Sequence, residues 1–441
     1  MPENKNFVSW FLLLPFFAGI GVIHYLLDRT QSGYLLLAYA FSFASYFYLA
    51  KKKSFTYSQI LSLGILARAI LFFAEPNLSD DFYRFIWDGR LMQAGFNPYL
   101  FTPEQIIQNK IEIEGLSLEL YSKLNSQPYF SIYPPISQFV FWLITSVGSD
   151  STVANVASLR FIILLFECGN MLLLSLLLKQ ASLPKKSIVL YALNPLVILE
   201  LTGNLHFEGV LLFFILLTIW AVQRAKHYLA GSFIALAIAT KIVPIMLLPV
   251  FIRKLGTRKS FQFFLLITIV LGVVFIPFLD AQIISGMGAS LGLFFHQFEF
   301  NAGIFFLLRE IGFLIVGYDL VGVLGPVLAL GGLVLILMFS FKYVNKNTSL
   351  AFAFSVIWMI QLSLATTVHP WYIVPMIALS VLTGFKFPII WSGLIFLTYT
   401  GYSASGFDHP FFVIAIEYFI VLPMAWYEIR KYMSRISNQS V

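Results

Sequence analysis

The sequence predicts an all-α polytopic membrane protein. Three observations carry that prediction. Hydrophobic residues make up 59% of the 441 and charged residues only 11%, whereas a soluble domain averages about 25% charged. So few charges cannot cover a water-facing surface of this size, so lipid must solvate most of it. Apolar runs of about 20 residues, the length that crosses a bilayer, recur from one end to the other, and the basic residues gather in the short turns between them. The 47 phenylalanines suit lipid-facing and interfacial positions.

The runs fall at 7–27, 33–50, 57–75, 155–178, 187–203, 207–223, 260–279, 320–341, 349–367, 388–403 and 410–427. The stretch 228–252 reads as a hairpin of two short helices meeting near Lys241, and a shorter span at 371–385 follows His369. The total is about 12–14 transmembrane helices at roughly 20 residues each. The first run lacks a small-residue cleavage site after its polar start, so it reads as a retained helix rather than a signal. No internal repeat divides the chain, and 1–441 reads as a single domain.

Orientation follows from lysine and arginine in short loops. With the N-terminus inside, all but Arg29, Arg68, Arg84, Arg90, Lys110, Lys123, Arg160, Lys241 and Arg309 of the 28 basic residues lie inside, Lys53 among them. That topology treats 134–149 and 301–317 as interfacial or re-entrant. The net charge of +7 then sets orientation and does not indicate nucleic acid. The lone Cys168 cannot form an internal disulfide.

The same topology leaves 76–154 as one large extracytoplasmic loop, long enough to imply a function. Its pattern at 82–94 and 103–124 suits amphipathic helices along the membrane surface. The loop opens on Leu78-Ser79-Asp80-Asp81-Phe82-Tyr83-Arg84, continues through Asp88-Gly89-Arg90 to Gly95-Phe96-Asn97-Pro98-Tyr99, and ends near Tyr133-Pro134-Pro135. Adjacent carboxylates at a membrane interface repel one another, which favours a raised pKa in one and the capacity to take a hydroxyl proton. A plainer reading competes: Ser79 or Asp80 caps the helix that follows, and Arg84 pairs with Asp88 at i, i+4. Lys241 is costly in an apolar stretch unless it snorkels or binds an anion. Arg68 and Arg160, beside spans, read as snorkelling or paired. His24, His206, His227, His296, His369 and His409 show no metal-ligand spacing, and no glycine-rich phosphate loop is present.

These residues resemble the GT-C superfamily of polyprenyl-phosphate-sugar-dependent glycosyltransferases, in particular mannosyltransferases that include GPI mannosyltransferase I and bacterial relatives. The matching features are Ser79-Asp80, Tyr83, Asp88, Gly95-Phe96-Asn97-Pro98-Tyr99, Tyr133-Pro134-Pro135 and His369-Pro370-Trp371-Tyr372. The superfamily's Asp-x-Asp has Phe82 at its second acidic position, with the extra acid at Asp81. Position alone assigns the base to Asp80, and Asp81 is the other candidate.

The resemblance implies a GT-C-type helical bundle. It implies transfer of a sugar, expected to be mannose, from a polyprenyl-phosphate donor to a glycan or lipid acceptor, inverting the anomeric centre without a cofactor. The leaving phosphate gains charge and needs cations. Arg84, Arg90, Lys241, Arg309 and His369 are the candidates for it, with Asp88, Tyr133, His206 and Tyr372 in the substrate site. The bilayer is the third partner, and a bacterial inner membrane with an outward-facing site is the expected location. A transporter or flippase, or a polymerase or ligase of lipid-linked oligosaccharides, is the competing reading. Transporters, however, place ionisable groups at the midplane within inverted repeats.

Overall fold

Apolar runs become helices because a backbone in hydrocarbon must satisfy its own hydrogen bonds. The computed structural model describes residues 4–439 except 53, 149, 283–285, 287, 291 and 293–297. Met1, Pro2, Glu3, Lys53 and His296 lie outside the described residues. Among the described residues, six helices are long and apolar enough to cross a membrane: Phe7–Tyr25, Ser32–Lys52, Thr152–Gln180, Thr257–Phe278, Val321–Lys342 and Phe411–Arg435. A seventh candidate is the pair Lys185–Ala192 and Pro195–Gly203, bent by 56°. Six further apolar helices have 10–17 residues, including Glu208–Gln223, His227–Thr240, Leu350–Ser363 and Pro370–Thr383. The protein is an all-α polytopic membrane protein, as its composition predicts. The strands among the described residues are a two-residue pair, Tyr402–Ser403 against Gly406–Phe407, and an isolated parallel bridge joins Phe300 to Thr367.

One buried apolar cluster runs from Leu13 to Ala425. Leu314, Phe412 and Phe419 on the outside are 88, 78 and 82% exposed. Large side chains so exposed imply an apolar solvent around the bundle. Two arginines buried inside the bundle have partners for their guanidinium donors. Arg68 donates to Glu167 at 2.9 Å with both side chains fully buried, and Arg160 donates to the carbonyls of Thr202, Gly203 and Phe72. Such pairing offsets the cost of burying a charge.

The loop after residue 76 is built rather than draped. Its helix Asp81–Gln93 has Phe82 and Arg84 through Leu91 buried, so it is enclosed on most sides and does not lie along the surface on one apolar face. It packs on Pro135–Gly148, with Phe85 stacked on Phe141 at 4.5 Å. Gly89 permits the close crossing: a Cβ there would sit 2.3 Å from the Phe141 carbonyl oxygen. Leu159 and Ile163 of the long helix Thr152–Gln180 complete this second core. Thr102 and Gln105 form a reciprocal cap that starts the short helix Pro103–Gln108. The stretches 135–148 and 303–316 are each helices of 14 residues, shorter than a full crossing of about 20.

Candidate active site

The loop's first residues enter the bundle at a cavity of about 360 Å³, within the size range of small-molecule sites. Asp80 and Asp81 sit where the chain turns into the helix Asp81–Gln93. Of the two expected caps, Asp80 makes no capping bond, whereas the Ser79 hydroxyl accepts from the Asp81 amide at 3.4 Å. The two carboxylates face different surroundings. Asp80 is held by Arg29 at 2.7 Å, and the Arg29 guanidinium lies 5.3 Å from the centre of the Tyr402 ring. Asp81 accepts from the Asn125 amide at 3.0 Å and from the Tyr133 hydroxyl at 3.5 Å. Burial pushes the Asp81 carboxyl above its ordinary value; Asn125 and the charge of Lys241 oppose this, and Asp80 adds to it.

The wall opposite is set by local backbone geometry. A wide helical turn over Ile198–Gly203 ends at Asn204, and Leu205 takes a positive φ of 66°. Single wide turns of this kind occur often at functional sites. The reversal delivers His206 and then Glu208, the first residue of Glu208–Gln223, to the cavity. Gly203 allows it, because a Cβ there would lie 2.0 Å from His24 Nε2 in the first span. Across from it, the helix His227–Thr240 stops at Lys241, whose extended backbone (φ −153°, ψ 136°) aims the ammonium at the cavity. Lys241 pairs with Glu208 and lies 4.6 Å from the centre of the Tyr372 ring. The Glu208 side chain is 3% exposed, and its Oε2 has no hydrogen-bond partner.

His369-Pro370-Trp371-Tyr372 forms the third wall. Trp371 lies between two imidazoles, 3.5 Å from His206 and 4.4 Å from His369 between ring centres, nearly parallel to both. Phe300, fixed by its bridge to Thr367, packs on His369 at 4.4 Å.

The structure gathers Asp80, Asp81, Arg84, Tyr133, His206, Lys241, His369 and Tyr372 around this cavity. Three expected residues stand elsewhere. Asp88 is fully buried behind the wall; it accepts from Arg84 at 2.7 Å, Ser131 at 2.5 Å and Gln138 at 2.9 Å. The plain i, i+4 pairing of Arg84 with Asp88 is therefore present, and Arg84 also ties down the carbonyls of Ser126 and Tyr129. Arg90 donates to the Gly115 and Asp150 carbonyls, closing the loop away from the cavity. Arg309 pairs with Glu299, with Glu310 and Asp319 farther off, and is not among the cavity's lining residues. The Gly95–Tyr99 segment works indirectly: the Tyr99 hydroxyl donates to the Tyr133 carbonyl at 2.7 Å, and Asn97 donates to the Phe278 carbonyl. Sequence reasoning assigned no role to Arg29, Asn125, Glu299 or Tyr402, all of which line the cavity. Only Arg29 carried a signal, as a cation in a short turn between apolar runs.

A cavity that gathers carboxylates, cations and stacked rings inside a helical membrane bundle suits glycosyl transfer. The chain belongs to the alpha-(1->6)-mannopyranosyltransferase family, whose N-terminal-domain profile matches residues 7–255. That membership sets the transporter reading aside. A comparison with curated proteins and one with solved structures each returned no match.

Proposed function

We propose that the protein transfers mannose from a polyprenyl-phosphate donor to an acceptor hydroxyl, with Asp81 as the base. The observation that carries this reading is the contrast between neighbours: Asp80 is committed to Arg29, while Asp81 faces the cavity with only neutral hydrogen-bond donors on it. The acceptor oxygen attacks the anomeric carbon as its proton passes to Asp81. The new C–O bond forms, the bond from that carbon to the phosphate oxygen breaks, and its electron pair leaves on the polyprenyl phosphate. Lys241 and Arg29 supply positive charge where the phosphate gains negative charge. Both already have carboxylate partners, and each keeps further N–H donors for an incoming phosphate.

The family's description names an alpha-(1->6) transfer. Carried to this chain, it makes the acceptor the primary hydroxyl on C6 of a glycan. A single displacement then inverts a β-linked donor. The prenyl tail lies among the apolar helices, in line with the lipid-facing exterior. The chain works as one domain in a bacterial inner membrane, and the basic residues of its short loops favour an outward-facing cavity. Transfer of label from polyprenyl-phosphate mannose to an oligomannoside, in membranes carrying the wild-type protein or Asp81→Asn, tests the reading. Undiminished transfer by the variant removes Asp81 as base.

A further inference from the structure

The proposed donor carries a hexose next to its phosphate, and recognition of that hexose is so far unassigned. Glu208 is placed to provide it. Glu208 is among the residues lining the cavity, its side chain 3% exposed at the start of Glu208–Gln223, and one carboxylate oxygen holds Lys241. The other oxygen, Oε2, is buried without a hydrogen-bond partner. A carboxylate has about four lone-pair sites, and a buried acceptor left unused is costly. Buried polar groups without partners call for an explanation, and an absent ligand is one.

We infer that Glu208 reads the hydroxyl on C2 of the donor hexose while holding Lys241 toward the phosphate on C1. The inference rests on the proposed donor. Its logic is one of distance along the sugar. Lys241 and Glu208 are in direct contact, so a group bonded to Glu208 lies next to a phosphate bonded to Lys241. The hydroxyl carbon adjacent to C1 is C2. Mannose and glucose differ only in the configuration at C2, axial in one and equatorial in the other. A hydrogen bond to a charged carboxylate at that point therefore selects between them, and a site built around a hydroxyl rejects a sugar lacking it far more strongly than an apolar pocket rejects an extra methylene. Neighbouring rings suit the role: Tyr372 lies 4.6 Å from the Lys241 ammonium, and Trp371 packs edge-on against Tyr372 at 5.8 Å.

The test is a two-by-two comparison in detergent or membranes. Wild type and Glu208→Gln are assayed with polyprenyl-phosphate mannose and with its 2-deoxy analogue. The expected result is a roughly 10- to 100-fold fall in kcat/KM for the mannosyl donor in the variant, with a fall of at most a few-fold for the 2-deoxy donor. Wild type itself should prefer mannosyl over 2-deoxy donor by a similar factor. An equal fall for both donors makes Glu208 a positioning residue for Lys241 and overturns the inference while leaving the proposed transfer intact. Wild type that uses neither polyprenyl-phosphate donor overturns the transfer reading itself. Glu208→Asp, which keeps the charge beside Lys241 but shortens its reach, gives the same comparison if the glutamine variant does not assemble.

Discussion

Arg29, in the turn after the first span, holds Asp80 at 2.7 Å and leaves the adjacent Asp81 to the cavity. Two acids that look interchangeable in sequence are separated by one ion pair. Asp80→Asn is expected to raise the donor KM several-fold with a modest change in kcat. Asp81→Asn is expected to lower kcat by roughly 10²- to 10⁴-fold, the range for a general base. Steady-state kinetics on both variants decide it, and a larger kcat loss at Asp80 reverses the assignment.

The rate should fall on the acid side at a higher pH than an ordinary aspartate would give. Burial raises the Asp81 pKa, so its protonated, inactive form persists to higher pH. Rate follows the deprotonated fraction and therefore rises with pH through that pKa. The acid limb of the kcat profile should vanish in Asp81→Asn. A limb that survives there belongs to another group.

Lys241→Met leaves Glu208 buried without its cation. Removing one partner of a buried pair is destabilising, whereas replacing both with neutral groups can be near neutral. The single variant should lose thermal stability, and Lys241→Met with Glu208→Gln should recover most of it without recovering donor affinity. A stability scan paired with donor KM separates the two effects. Full donor affinity in the double variant excludes Lys241 from the phosphate site.

Gly89→Ala tests the helix crossing behind the site. Its Cβ would meet the Phe141 carbonyl oxygen at 2.3 Å, and backbone cannot turn aside as a side chain does. Overpacking of this kind costs about 1–3 kcal/mol. A lowered Tm with kcat reduced through displacement of Asp81 is the expected outcome; an unchanged Tm contradicts the tight crossing.

Most of the fold was legible because the constraint that makes it is local. A run such as 155–178 has only one backbone solution in lipid, and the structure gives Thr152–Gln180. The break at Lys241 was also legible, since a charge and two prolines interrupt an apolar stretch there. Of the charge partners, only the i, i+4 pair of Arg84 with Asp88 was legible, because helical spacing encodes it. Arg90 and Arg309 look like Arg84 in sequence, yet Arg90 ties the Gly115 and Asp150 carbonyls and Arg309 pairs with Glu299. Those two pairings join residues from separate segments, and no periodicity encodes them. Helix Asp81–Gln93 misled in the same way: its polar residues suggested a wetted face, but Arg84 and Asp88 satisfy each other and are buried.

The cavity draws on both ends of the chain. Asp81, Glu208 and Lys241 fall within the family-matched portion 7–255, while Phe300, His369, Trp371, Tyr372 and Tyr402 come after it. A fragment cut near residue 255 would keep Asp81, Glu208 and Lys241 and lose Phe300, His369, Trp371, Tyr372 and Tyr402 from their enclosure, so bulk water would reach the carboxylates. In the proposed transfer, the later segment is the shell that keeps hydrolysis from competing with the acceptor.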